Sequence, residues 1–285
     1  MRFKAPTALD YFASLVAEDA SLPLTEAAVA IALTEHPDLD VQGVLAHIDE
    51  LAHRMKRRLA ADAGPLQRLR LLNRFYFDEL GFAGNVNHYD DPRNSFVHAV
   101  LETRRGIPIS LAVIYLELAG QIGLSAHGVS FPGHFLVKLR LPEGEAVIDP
   151  FTGHSLTREA LDERLLPYRR SRGPQGDMDP PLALFLQAAT AREVLARMLR
   201  NLKEIHHNAQ DWARLVAVLD RWVLLLPHDA QARRDRGLAH AELGQQQAAV
   251  RDLSLYLQQA PAAADRRVIA ARLATLKRGG GTWLH

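Results

Sequence analysis

The sequence predicts an α+β, mostly helical protein with a small antiparallel sheet in its middle third. Three observations support this fold class. Apolar residues recur every three or four positions up to about residue 78, short runs typical of strands occupy residues 126–149, and helical spacing returns after residue 181 with a repeat. The chain has 285 residues, which is long enough for two domains.

The N-terminal region is predicted to be helical. An alanine-rich segment over residues 24–33 predicts one helix, for which Thr25 is the expected cap. Apolar spacing predicts a second helix over residues 41–59. A third helix is expected to begin at Pro65, because proline suits the first turn. Its inner stripe is formed by Leu66, Leu69, Leu72, Phe75 and Tyr76.

In the middle region the spacing of apolar residues changes from the helical period. Residues 81–94 are rich in glycine, asparagine and aspartate, which predicts a loop. Helices are predicted over residues 92–101 and 108–122. Three strands follow, over residues 126–131, 135–141 and 146–149, with Pro142 and Gly144 in the last turn.

The final helical region contains a repeat. Three pairs of residues are separated by the same 34 positions: Pro227 and Pro261, Leu219 and Leu253, Trp222 and Tyr256. Thirty-four residues is the period of the tetratricopeptide repeat. Two such units bury too little apolar surface to stand alone. They should therefore pack against the middle domain or a capping helix over residues 268–276, with Trp212 and Trp222 buried.

The change of period also divides the chain. Residues 168–181 have no periodicity and contain several helix breakers, so they include the expected linker. The predicted divisions are a helical region over 1–80, a core over 81–170, a linker over 171–181, repeats over 182–278 and a flexible tail over 279–285.

Composition excludes several classes of protein. The net charge of +1 offers no strong electrostatic attraction for nucleic acid or an anionic membrane, so neither partner is expected. The chain contains no cysteine, which excludes disulfides, thiolate metal sites and a cysteine nucleophile. No run of 18 apolar residues is present, and the first residues lack a signal-peptide core. We expect a cytoplasmic protein.

Three motifs carry the chemistry: RRGIPISLAVIYLELAGQIGL, FPGHFLVKLR and VIDPF. They place Ser110 in the first turn of a helix, His134 at the opening of a strand and Asp149 at the close of the next. Helix N-termini have unpaired N–H groups that can hold an oxyanion, but a serine nucleophile also needs a base in contact. Ser110 alternatively satisfies a backbone group of the first turn.

The pairing of the strands decides whether His134 and Asp149 meet. If Leu139 pairs near Gly144, the two side chains face each other. A turn centred on Glu143 and Gly144 would instead place Asp149 opposite Lys138, about 13 Å along the strand from His134. A histidine at a strand mouth and a turn aspartate before proline are the structural alternatives.

Other polar residues near the motifs are candidates for a secondary role. Asn94 could donate to an oxyanion or cap a helix, and His98 and Arg105 could support the site. Arg105 alternatively lies on solvated surface. The spacing of the histidines and Asp149 fits no zinc pattern, so neither a metal nor a cofactor is expected.

The chain resembles the bacterial transglutaminase-like family that carries C-terminal tetratricopeptide repeats. The resemblance rests on GIPISL, FPGHF and IDPF together with RRDRGLAHAELGQQQAAVRDLSLYLQQAP, and runs over nearly the whole chain. It implies a papain/transglutaminase-like fold and a Cys-His-Asp triad for acyl transfer. By position, Ser110 takes the place of the nucleophile, His134 that of the base and Asp149 that of the orienting acid.

Serine in the nucleophile position departs from the enzymes of the superfamily and favours a pseudoenzyme. We therefore expect a scaffold that binds a peptide or protein partner in its cleft and on its repeats, without thiol transglutaminase activity. The alternative is a serine-dependent hydrolase or acyltransferase that acts on an amide or ester through Ser110, His134 and Asp149.

Overall fold

The computed structural model describes residues 6–171 and 180–279, so most of the predicted linker and nearly all of the predicted tail lie outside the described residues. The chain divides into two compact units. The core unit contains the described residues among 23–32 and 39–198, and the repeat unit contains those among 6–22, 33–38 and 199–285.

The elements follow a helical, then mixed, then helical order. They are α1 (Ala8–Leu15), α2 (Leu24–Ile31), α3 (Val41–Lys56), α4 (Pro65–Asn73), β1 (Ala83–Gly84), α5 (Val97–Thr103), β2 (Arg105–Gly106), α6 (Pro108–Gln121), β3 (Ala126–Val129), β4 (Leu136–Leu141), β5 (Gly144–Ile148), α7 (Arg158–Ser171), α8 (Leu182–Phe185), α9 (Ala191–Asn208), α10 (Trp212–Leu225), α11 (Ala230–Glu242), α12 (Gln246–Gln259) and α13 (Arg266–Gly279). The predicted mostly helical α+β class is confirmed.

Helix α6 is the centre of the core unit. Its first eight residues are all buried, so this part of the helix is enclosed on every side rather than along one stripe. Helices α2 to α5 and strands β3 and β4 pack around it. Two buried tyrosines join it to neighbours through their hydroxyls: Tyr76 donates to the Leu111 carbonyl at 2.8 Å, and Tyr115 to Asn73 Oδ1 at 2.6 Å.

Strands β3, β4 and β5 form the predicted antiparallel sheet, with β4 in the middle. Leu141 pairs with Gly144, so the turn consists of Pro142 and Glu143. Extending the observed pairing of Val137 with Ile148 by one residue brings Asp149 beside Leu136. The register therefore lies between the two arrangements that the sequence left open.

Several local predictions differ from the structure. Thr25 lies inside α2, where its hydroxyl donates to Glu117 Oε2 at 2.6 Å instead of capping the helix. The predicted helix over residues 92–101 is a short 3-10 turn (Pro92–Ser95) followed by α5. Helix α7 continues through Pro167 to Ser171 and occupies the start of the segment that seemed irregular.

The repeat unit has the predicted period. Helices α10 and α12 begin 34 residues apart, at residues 212 and 246. They also end 34 residues apart, at residues 225 and 259. Gly237 of α11 allows close packing, because a Cβ there would lie 2.8 Å from Leu253 of α12. Helix α13 packs on α12, as expected of a capping helix. Trp222 is buried, whereas Trp212 is only partly buried.

Candidate functional site

Two of the three predicted triad residues are in contact. His134 lies in the turn before β4, and Asp149 directly follows β5, so each flanks one strand of the same hairpin. The His134 Nε2 atom lies 2.8 Å from Asp149 Oδ1, although Asp149 sits beside Leu136 in the register. His134 and Asp149 are therefore not paired directly, and the length of the imidazole side chain closes the offset between them.

Asp149 is buried, and each of its oxygens has a donor. Oδ1 also accepts the Phe151 amide at 2.9 Å, and Oδ2 accepts Nη2 of Arg164 at 2.9 Å. Burial alone would raise the pKa of this carboxyl, but the bonds from His134, Phe151 and Arg164 outweigh burial and lower the pKa from 3.8 to about 2. Asp149 is therefore ionised at neutral pH and acts as an acceptor only.

This arrangement sets the orientation of the imidazole. Since ionised Asp149 can only accept, Nε2 of His134 must carry a hydrogen. Within the described residues, Asp149 is the single hydrogen-bond partner of the ring. A neutral ring therefore has its lone pair on Nδ1, and the His134 side chain is 23% exposed.

Ser110 is fully buried, and its hydroxyl is used within the backbone. The residue occupies the third position of α6, and Oγ accepts the Ile107 amide at 3.2 Å. Oγ donates to the Asn94 carbonyl at 2.5 Å, with the Ile107 carbonyl also 3.1 Å away. This geometry matches the backbone-satisfying role that the sequence analysis left open, and in the described residues no hydrogen bond joins Ser110 to His134.

Asn94 is buried and organises the loop that contacts Ser110. Its Nδ2 donates to the carbonyls of His88 and Tyr89 at 2.6 and 3.1 Å. Its Oδ1 accepts Nδ2 of Asn85 at 2.9 Å. The side-chain amide therefore holds the loop over residues 85–94 together, while the Asn94 main chain holds Ser110.

The contacts of His98 and Arg105 described here are with residues other than His134 and Asp149. The His98 ring stacks on Phe96 with centroids 6.0 Å apart. Arg105 donates from Nη1 to the carbonyls of Gly81 and Arg104, which connects β2 to the residues just before β1. Their predicted secondary role at the site stays a prediction.

Aromatic residues form the surface next to His134. The Phe151 ring is edge-on to His134, with centroids 6.4 Å apart, and the centroid of the Tyr89 ring lies 6.2 Å from that of Phe151. Gly84 makes room for this ring, because a Cβ there would lie 2.2 Å from Phe151. The Gly84 amide also donates to the Phe151 carbonyl at 2.9 Å.

Comparison with known proteins identifies both parts of the chain. The model of the transglutaminase-like superfamily matches residues 42–200, and a tetratricopeptide-repeat model matches residues 202–274. The chain belongs to the transglutaminase-like superfamily. The sequence prediction of a transglutaminase-like core followed by tetratricopeptide repeats is therefore confirmed.

Bacterial relatives match the transglutaminase-like protein over most of its length. A UPF0162 protein of Xylella fastidiosa is 38% identical over 260 residues, which cover 91% of this chain and 92% of the relative. UPF0162 protein PA3419 of Pseudomonas aeruginosa is 32% identical and covers 81% and 82%. Protein SirB1 of Salmonella typhimurium is 26% identical and covers 84% and 87%. The relatives thus share both parts of the chain.

A weaker likeness comes from a solved structure. The crystal structure of menin aligns with 86% of this chain and 68% of menin, at a TM-score of 0.40 and 10% identity. These values are too low to define the fold of the transglutaminase-like protein.

The described residues contain neither a metal-binding cluster nor a membrane-spanning helix. In residues 6–171 and 180–279, no group of three or more histidine, cysteine, aspartate or glutamate side chains is placed to hold a metal ion. Over the same ranges, no helix has the length and apolar character needed to cross a membrane.

Sequence reasoning missed Arg164, Phe151, Tyr89 and the clamp formed by Asn85 and Asn94. Phe151 is part of the IDPF motif, so its place next to Asp149 gave a usable signal. Arg164 gave none, because it lies 15 residues after Asp149 and is one of several charged residues on α7.

Proposed function

We propose that the transglutaminase-like protein is a scaffold that binds a peptide or protein partner and has no thiol transglutaminase activity. One observation carries this proposal. The Ser110 hydroxyl, in the nucleophile's position, is 0% exposed and donates its hydrogen to the Asn94 carbonyl at 2.5 Å.

This environment opposes nucleophilic chemistry. A serine nucleophile must pass its proton to a base, and a backbone carbonyl cannot take it. The carbonyls of Asn94 and Ile107 point their negative ends at Oγ, so they disfavour an alkoxide. Burial would also keep a substrate carbonyl from reaching the oxygen atom.

The repeat unit supports the binding role. Tetratricopeptide helices stack side by side and present extended grooves to peptide or protein partners. Helices α10, α11, α12 and α13 pack one on the next and supply such a surface in addition to the one beside His134.

A fluorophosphonate probe tests the absence of serine chemistry. We expect the full-length protein to label no faster than its Ser110→Ala variant, since Oγ is buried and has no base in contact. Ser155→Ala, which removes an exposed hydroxyl near the sheet, is the matched control. Labelling that disappears only in Ser110→Ala would overturn the proposal.

A thiol at the same position gives a second test. The helix N-terminus and His134 would lower the pKa of a thiol in an open cleft, which is the result expected from sequence alone. The two carbonyls and full burial oppose thiolate formation. Because the chain has no other cysteine, iodoacetamide reports on Ser110→Cys alone. We expect slower labelling at pH 7 than for Ser155→Cys, and faster labelling would contradict the scaffold.

The second candidate is a serine-dependent hydrolase or acyltransferase that uses Ser110, His134 and Asp149. The observation that favours it is the 2.8 Å contact between His134 Nε2 and Asp149, which leaves Nδ1 able to take a proton. Hydrolysis of p-nitrophenyl esters tests it. This function requires that Ser110→Ala and His134→Gln each abolish turnover without changing the melting temperature.

A further inference from the structure

A π-helical turn of the core unit directly follows α4 and carries charged residues. This turn spans Arg74–Glu79, and the Leu80 amide donates to the Phe75 carbonyl, five residues earlier, at 2.9 Å. Its wider winding brings the two ends together, with Arg74 Nε 3.5 Å from Glu79 Oε1. Such turns are rare and occur frequently at functional sites, so the surroundings of this one are of interest.

Two arginines from α3 and the residues just after it lie against the π-helical turn. The guanidinium carbons of Arg54 and Arg58 lie 5.3 and 5.2 Å from the centre of the Phe75 ring. Arg58 Nη1 also donates to Glu79 Oε2 at 2.6 Å, and this bond is the largest cause of a lowered pKa of Glu79. The positive charges of Arg74 and Arg54 lower that pKa further. Three guanidinium groups therefore lie around one carboxylate.

Arg104 supplies a fourth guanidinium from an unusual backbone position. It is the last residue of the α5 cap and lies in the left-handed region at φ 58°, where glycine is usual because a side chain is disfavoured. Its guanidinium carbon lies 4.6 Å from the centre of the Phe82 ring. Burial lowers the pKa of Arg104, Tyr76 opposes that decrease, and the charge of Arg54 adds to it. Arg104 and Arg54 are therefore close enough to repel each other.

The charges of Arg54 and Arg104 are not balanced by a carboxylate within the described residues. Arg54 contacts the Phe75 ring but forms no ion pair there, and Arg104 Nη1 is buried without a hydrogen-bond acceptor. Glu50 and Asp78, which are acids near the cluster in sequence, are exposed to solvent. A buried N–H group without an acceptor is costly, and an anion bound beside it would supply that acceptor.

These residues form one group, the arginine cluster, which consists of Arg54, Arg58, Arg74 and Arg104. We propose that the arginine cluster binds the phosphate group of a phosphate monoester, chiefly through Arg54 and Arg104. Guanidinium groups present paired N–H donors that match phosphate oxygens. A phosphate monoester carries a charge of about −1.5 to −2 at pH 7, so it can offset two neighbouring guanidinium groups, whereas a carboxylate offsets one. The proposal goes beyond the scaffold function and does not depend on it.

An anion titration tests this assignment. The full-length ¹⁵N-labelled protein is titrated at constant ionic strength with sodium phosphate, and separately with sodium acetate. We expect phosphate to shift the side-chain Nε–H signals of Arg54 and Arg104 and to bind about tenfold more tightly than acetate, because it carries more charge and more acceptor oxygens. Glycerol 2-phosphate and acetyl-Gly-phosphoserine-Gly amide then distinguish the source of the phosphate. The ester that binds more tightly identifies a small molecule or a phosphorylated protein.

Variants separate binding from a structural role of the arginines. Arg54→Gln and Arg104→Gln should each weaken phosphate binding about tenfold, and Arg104→Lys should restore part of the loss. Arg104→Gly also removes the guanidinium, but glycine suits the left-handed position, so this variant should fold and still bind phosphate weakly. Arg140→Gln is the control, because it removes an exposed arginine on β4, and its phosphate binding should equal that of the wild type.

The outcomes that would overturn the proposal are specific to the arginine cluster. Equal binding of phosphate and acetate, signal shifts confined to other residues, or unchanged phosphate binding in both Arg54→Gln and Arg104→Gly would each do so. None of these results affects the scaffold function, which fluorophosphonate labelling of Ser110 tests. If the variants at Arg54 and Arg104 do not fold, the comparison of phosphate with acetate on the wild-type protein still decides.

Discussion

The core unit and the repeat unit bury polar groups in different ways. In the core unit, neutral hydroxyls donate to carbonyls, as Tyr76 does to Leu111 and Ser110 to Asn94. In the repeat unit the groups are ions: Arg236 binds both oxygens of buried Asp252 at 2.7 and 2.8 Å and Asp220 at 2.9 Å. The core unit therefore depends on packing and fixed hydrogen bonds, and the repeat unit on paired charges.

Asp149 is an exception to this difference between the two units. Asp149 is the buried carboxylate of the core unit, and it lies at the candidate site. Its two oxygens are fully used by His134, Phe151 and Arg164. The other buried polar side chains among the described residues of the core unit are neutral, so Asp149 is the exception that would be expected at a functional site.

The largest expected effect comes from breaking the ion pair of the repeat unit. Asp252→Ala leaves Arg236 half-buried without its two-oxygen partner and should lower the free energy of unfolding by about 3 kcal/mol. Asp220→Ala is the control, and because Asp220 is 30% exposed we expect about 1 kcal/mol. Urea unfolding followed by tryptophan fluorescence measures both. If the two variants lose equally little free energy of unfolding, packing rather than paired charges stabilises the repeat unit as well.

Acid should act on the core unit through Asp149. The pKa of Asp149 is lowered in the folded state, so its contribution is complete above about pH 4 and is lost as the pH falls to about 2. A shift of this size corresponds to about 2 kcal/mol. The difference in stability between wild type and Asp149→Asn should decrease by that amount over this range. The control Asp162→Asn, which removes a 40% exposed carboxylate, should show no such change.

The smallest effect is expected at an exposed ion pair of the repeat unit. Arg272 and Glu242 lie 3.0 Å apart, but their side chains are 43% and 47% exposed. Arg272→Gln should lower the free energy of unfolding by about 0.5 kcal/mol or less, and 0.5 M salt should remove about half of that loss. A loss as large as that of Asp252→Ala would show that burial does not decide the value of these pairs.

Much of the fold could be predicted because local signals agreed with tertiary structure. The proline at the start of α6 and its mostly apolar sequence placed that helix within one residue at its end. The 34-residue offset located α10 and α12 because each repeat packs on its neighbour in the same way. Thr25 was placed wrongly, since its partner Glu117 is distant in sequence.

The candidate site could be predicted only in part. The order of motifs indicated His134 and Asp149, but their contact depended on a strand register that alternation alone does not fix. The partners that decide the chemistry come from elsewhere: Arg164 from α7, and the Asn94 carbonyl from a loop. Such contacts depend on three-dimensional position, and a surface arginine or a main-chain oxygen has no sequence pattern that reveals it.

The carbonyl of Asn94 has a consequence for amide exchange with solvent. It accepts both the Ser110 hydroxyl and the Ile107 amide, at 2.5 and 3.3 Å, and the Ile107 amide also donates to Ser110 Oγ. A motion that moves the Asn94 carbonyl away from Ser110 therefore also removes one of the two acceptors of the Ile107 hydrogen. Deuterium exchange at the Ile107 amide is therefore expected to become faster when the contact between Asn94 and Ser110 opens, so this one amide follows the motion that uncovers Ser110.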